Sequence, residues 1–210
     1  MVMEDEHPIK GGYMNPNAIL ELNSIVFERL ISSTNECGNL VFTQTYRQMP
    51  KIREPEVRYV YCKILEEKGY KFGLEVPTKE DYSFTGEKSR SALTDLSIFG
   101  EEKINIEFKE GQPKQDQVDK DIEKLIREPN PGIWFHIFQT RSSNSEHSRG
   151  TLKTLINKLN KSISKFEVKG KSWIQFIIIV KGYKELWILT KQKRDLNRIS
   201  LEEFKRKEIK

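Results

Sequence analysis

Between Leu93 and Gly111 two short runs of alternating apolar and polar residues flank a polar turn. Alternation over four to eight residues is the mark of a half-buried strand. In the first run Leu96 and Ile98 share one face and Asp95 and Ser97 the other; in the second, Ile104, Ile106 and Phe108 oppose Asn105, Glu107 and Lys109. If the runs pair as a hairpin, both apolar faces must point the same way, because a slip of one residue turns a whole face into water. A three-residue loop over Gly100, Glu101 and Glu102 meets that condition and is a common hairpin length. It sets Asp95 directly opposite Glu107, with Lys109 two residues further along the same face. Facing like charges destabilise a ladder, so two carboxylates held together beside a lysine predict a cation site.

The chain has 210 residues, enough for a core without disulfide or metal staples. Its 36 Lys and Arg exceed its 31 Asp and Glu, for a net charge of +5, which favours a polyanionic partner over an acidic or neutral one. Cys37 and Cys62 form no CxxC spacing and only three histidines occur, which argues against a disulfide framework or a zinc cluster. No segment approaches the ~20 apolar residues of a membrane span. The acidic start of the chain does not read as a secretory signal, so a soluble, cytoplasmic protein without a membrane partner is expected.

Helical spacing marks 18–32, with Asn17 as its N-cap, and 54–68, with Pro55 in its first turn and Gly69 as its stop. A strand follows over 70–76, then a polar loop over 77–91 and the hairpin. A helix over 116–127, capped through Asp116 and Asp119, leads to an apolar strand over 133–139. A serine-rich loop over 140–149, a helix over 151–163 and strands over 174–180 and 185–189 complete the pattern. Three segments are expected: an arm and helix packing on the core over 1–50, the core over 51–190, and a charged tail over 191–210 that reads as a solvated helix. This order predicts an α/β sandwich around a mixed sheet. No GxGxxG follows a strand, which excludes a doubly wound dinucleotide fold.

Asp95 followed by Glu107-Phe108-Lys109 on the next strand, with a helix on either side, resembles the PD-(D/E)xK nuclease superfamily. The resemblance runs from about Glu54 to Gln139, and departs from the family pattern in placing Thr94, not proline, before Asp95. It implies a restriction-endonuclease-like core, a mixed central β-sheet flanked by helices with an N-terminal helical extension. It also implies Mg2+ or Mn2+ held by Asp95 and Glu107, a water oriented or activated by Lys109, and a further acidic residue on the preceding helix. Glu56 is the choice for that residue, with Glu54 or neither as the alternative.

The chemistry is coherent without the family: a divalent ion supplies both charge stabilisation at a phosphate and a hydroxide-like nucleophile at neutral pH. The bland alternative makes Asp95, Glu107 and Lys109 the solvent face of an exposed hairpin. Lys114, Gln117, Lys120 and Lys124 are candidate nucleic-acid contacts, with a solvated helix face as the competing explanation. His136, inside an apolar strand, reads as a core histidine. The expected function is a metal-dependent endonuclease acting on DNA, possible as a homodimer. The alternative is an inactive nucleic-acid-binding or protein-interaction module on the same fold.

Overall fold

The structure is a computed structural model describing residues 15–32, 36–37, 40–42, 45–46, 49–83, 90–139, 145–168 and 172–208. Of the arm expected over 1–17, residues 1–14 lie outside these residues, and Pro16 and Asn17 already belong to the first helix. In chain order the main elements are α1 (Pro16–Ser32), α2 (Glu54–Glu67), β1 (Lys71–Tyr82), β2 (Arg90–Phe99), β3 (Ile104–Glu110), α3 (Gln115–Arg127), β4 (Gly132–Phe138), α4 (Ser145–Ile163), β5 (Trp173–Val180), β6 (Glu185–Gln192) and β7 (Lys205–Glu208). The seven strands form one sheet in the order in which they occur. Pairing is antiparallel through β1, β2 and β3, parallel through β3, β4 and β5, and antiparallel again through β6 to β7. Parallel neighbours need a crossover, and α3 and α4 supply the two.

Strand periodicity sorts the side chains into two cores. Ile104, Ile106 and Phe108 of β3 and Ile133, Phe135 and Ile137 of β4 face α1 and α2. Trp134, Phe138 and Phe176 face α3 and α4 with Val118, Ile122 and Leu159. Helices on both faces of a mixed sheet make this an α/β sandwich, as the order of elements predicts. Tyr61 meets Phe108 and Phe135 edge-on with ring centroids 5.6 and 5.7 Å apart, contacts worth ~0.5–1.5 kcal/mol each beyond area burial. Helix α1 is tied to the sheet by a buried polar chain, in which Tyr61 donates to Asn23, Asn23 to Gln175 and Gln175 to Thr190.

Several boundaries differ from the sequence reading. Asn15, not Asn17, caps α1, its Oδ1 accepting the amides of Asn17 and Ala18. The segment expected as a loop after Val76 continues as strand to Tyr82, with a register shift between Pro77 and Asp81. An edge strand tolerates that proline, and the shifted amides find a distant partner: Glu128, at the end of α3, accepts from Lys79 N at 3.1 Å and Glu80 N at 2.9 Å. Helix α4 starts at Ser145, inside the expected serine-rich loop. The charged tail is built into the fold, since β6 runs to Gln192 and β7 pairs with it. Leu196, Ile199 and Phe204 are buried in the second core, and the buried Lys193 donates to the carbonyls of Glu128 and Asn130, at 2.6 Å each.

Candidate active site

The β2–β3 ladder has the register that parity predicts, pairing Leu96 with Ile106, Ser97 with Asn105 and Ile98 with Ile104. Asp95 and Glu107 come next in line, and there the backbone pairing ends. Asp95 Oδ2 accepts the Phe108 amide at 2.8 Å instead. Beyond this point β2 continues with β1 while β3 continues with β4, so the sheet forks, and Asp95, Glu107 and Lys109 stand on its α3 face. The buried hydrogen bond from Ser97 to Asn105 Oδ1, 3.0 Å, lies one step deeper in the hairpin.

Helix α3 completes the cluster. Val118, Ile122 and Leu125 turn it toward the sheet, and the same face carries Asp121 and Lys124. Lys124 Nζ lies 2.7 Å from Glu107 Oε2, 3.2 Å from Asp121 Oδ1 and 3.0 Å from the Leu93 carbonyl. Lys109 Nζ lies 2.8 Å from Asp121 Oδ2 and 3.9 Å from Glu54 Oε1. Glu107 is 1% exposed and Asp121 6%. Glu54 arrives at the first turn of α2, and its amide is bound by Glu110 Oε2 at 2.9 Å, which fixes that turn to the end of β3.

Burial raises the Asp95 carboxyl above its ordinary value, against the Phe108 amide, and the charge of Asp121 raises it further. Glu107 is pushed well up by burial and by Asp121 and Asp95, with Lys124 opposing. Burial lowers Lys109 and Lys124, but the acids around them together outweigh it, Asp121, Glu54 and Asp95 for the first and Glu107, Asp121 and Asp95 for the second, so both ammonium groups are held protonated. Burial also raises Glu54, opposed by Lys109.

Of the residues expected from sequence, Asp95, Glu107 and Lys109 come together and Glu56 does not join them. Glu56 closes a capping box, accepting the Arg53 amide at 3.1 Å and pairing with the Arg53 guanidinium. That partner outweighs burial and holds its carboxyl low. Glu54 is the acid of this turn that reaches Lys109. Gln117 accepts the Lys114 amide at 2.9 Å and so caps α3, in place of the expected Asp116 and Asp119 pair. Asp119 instead binds Ser162, Gln115 and Lys165. Lys114 and Lys120 are exposed, whereas Lys124 is buried in the cluster and not on a surface track. Asp121 was legible as a site member, since Val118 and Leu125, at i−3 and i+4, place it beside the buried apolar stripe of α3. His136 is a core residue, 2.8 Å from the Gly111 carbonyl through Nε2 and pushed down to about 3 by burial.

Among the described residues no three His, Cys, Asp or Glu side chains meet in a metal-holding group. The donor set nonetheless fits a hard cation, which takes carboxylate and carbonyl oxygens and keeps several waters. Glu107 Oε1 is buried without a hydrogen-bond partner among the described residues, a costly state for a carboxylate oxygen that a cation relieves. No model of a known protein family matches this chain, and no curated protein matches it in sequence.

Proposed function

We propose that the protein is a divalent-metal-dependent endonuclease that hydrolyses phosphodiester bonds in DNA. The observation that carries this reading is the gathering of Asp95, Glu107 and Lys109 on one face where the hairpin forks. The run from α2 through β1, β2 and β3 to α3 and β4 is consistent with a restriction-endonuclease-like core and supports the resemblance.

Asp95 and Glu107 are the residues that hold Mg2+ or Mn2+, which when bound supplies an activated water and charge stabilisation at the phosphate. Lys109 is kept protonated by Asp121, so it donates to a phosphate oxygen or to the attacking water and does not remove a proton. Glu54, raised by burial and next to Lys109, is suited to accept the proton of that water. The net positive charge draws in the polyanionic substrate, and Lys114, at the N-cap of α3, and Lys120, on α3, are exposed to meet it. With one such site among the described residues, a homodimer would cut both strands of a duplex in a single binding event.

Purified protein incubated with supercoiled and linear DNA should cut with Mg2+ or Mn2+ and stop with a chelator, and Asp95→Ala and Lys109→Ala should be inactive. Undiminished cleavage by both variants excludes the assignment. A second reading, a binding module without catalysis, is favoured by the pairing of Glu107 with Lys124. It predicts salt-sensitive DNA binding with no metal-dependent product.

A further inference from the structure

The Lys124 ammonium is surrounded by oxygens from three different elements. Glu107 comes from β3, the Leu93 carbonyl from β2 and Asp121 from α3 itself, at 2.7, 3.0 and 3.2 Å. Two carboxylates and a carbonyl around one positive centre form the kind of donor set that a hard divalent ion accepts at ~2.0–2.6 Å. Among the described residues four carboxyl groups, of Glu54, Asp95, Glu107 and Asp121, gather about the two ammonium groups of Lys109 and Lys124.

As a purely structural device the arrangement is poor. A buried ion pair seldom stabilises more than an apolar replacement of the same shape, and this one leaves Glu107 Oε1 without a partner among the described residues. A lysine is suited to an exchangeable role, because its charge is a compact point on a flexible four-carbon stem.

We propose that the Lys124 ammonium and a divalent cation compete for Glu107 and Asp121, so that metal loading expels the lysine and recruits Asp121 as a third carboxylate ligand. Lys124 thereby acts as a resident counter-ion that holds the carboxylates together before the metal arrives. The inference rests on the metal-binding reading of the same cluster. It goes further in naming Asp121 as a ligand and Lys124 as the competitor.

The test is Mn2+ binding to the full chain by titration calorimetry, with no nucleic acid present. Lys124→Met is expected to bind Mn2+ about tenfold or more tightly than the wild type, as removal of a positive charge at contact distance from the ion requires. Adding Glu107→Gln should abolish the gain, and Asp121→Asn should weaken wild-type binding. A measurement without substitution at Lys124 follows its Nζ resonance in 15N-lysine-labelled wild type, assigned through its own side-chain carbons. That signal should shift when stoichiometric Mg2+ is added. Equal or weaker Mn2+ affinity in Lys124→Met, or an unmoved resonance while Mg2+ binds, overturns the competition and leaves the metal-dependent reading in place. Absence of any Glu107-dependent Mn2+ binding in either protein overturns both.

Discussion

Asp95 and Glu107 occupy facing positions on a hairpin whose backbone ladder stops one pair short of them, and Asp95 holds the Phe108 amide in place of a carbonyl. The acid is therefore both part of the fold and part of the candidate site, and the two roles separate by substitution. Asp95→Asn keeps an oxygen acceptor for the amide and removes the charge. It should leave thermal stability close to wild type while DNA cleavage falls about a hundredfold or more, the scale of losing a transition-state electrostatic contact. Asp95→Ala should add a stability loss of ~1–3 kcal/mol for the orphaned amide. Calorimetry beside a cleavage time course distinguishes them, and an Asp95→Asn protein that cuts normally would count against the site.

The two glutamates at the start of α2 should behave oppositely. Glu56 closes the capping box with Arg53, so Glu56→Ala should cost ~1 kcal/mol in urea denaturation and leave cleavage unchanged. Glu54 reaches Lys109, so Glu54→Gln should lower cleavage about tenfold or more with little change in stability. The reverse pattern would restore Glu56 as the third carboxylate.

His136 gives the fold an acid limit. Burial pushes its imidazole down to about 3, whereas in the unfolded chain it titrates near ~6.5. Between those values the unfolded state binds the extra proton, so stability falls as pH falls, by up to ~1.4 kcal/mol per unit. His136→Phe removes this contribution. Denaturant midpoints recorded from about pH 7 down to about pH 4 should decline less steeply in the variant, and identical slopes would show that the histidine is not held neutral.

Glu128 joins the end of α3 to the irregular stretch of β1 through the amides of Lys79 and Glu80 and the Tyr82 hydroxyl. Glu128→Ala strips three donors of their acceptor and should destabilise the protein by ~2–4 kcal/mol. Hydrogen exchange at Lys79 and Glu80 should accelerate, while Phe108, whose amide is bound by Asp95, should not follow. Unchanged protection at both amides would remove Glu128 from this role.

The hairpin and its register were legible because parity leaves few choices: Leu96, Ile98, Ile104, Ile106 and Phe108 can face the core together in only one set of alignments. Asp95, Glu107 and Lys109 follow from that register. Asp121 follows from the apolar stripe of α3, but the remaining members of the cluster depend on tertiary geometry. Glu54 and Glu56 are both acidic, both in the first turn of α2, and only the position of Arg53 separates them. Lys124 reads as a surface charge until α3 is set against the fork. The extension of β1 through Pro77 was hidden because its stray amides are satisfied by Glu128, about fifty residues away in sequence. The final strand, Lys205-Arg-Lys-Glu, carries no apolar alternation at all, as an exposed edge permits.

The sheet is laid down in chain order, each strand pairing with the one made just before it, and the cluster from Glu54 to Lys124 comes from one unbroken stretch. The groups lie well apart along it, with Lys124 17 residues from Glu107 and 31 from Leu93, but the entropic penalty of closing such loops grows only slowly with their length. All the members of the cluster have therefore been synthesised once α3 is complete, before the C-terminal strands exist.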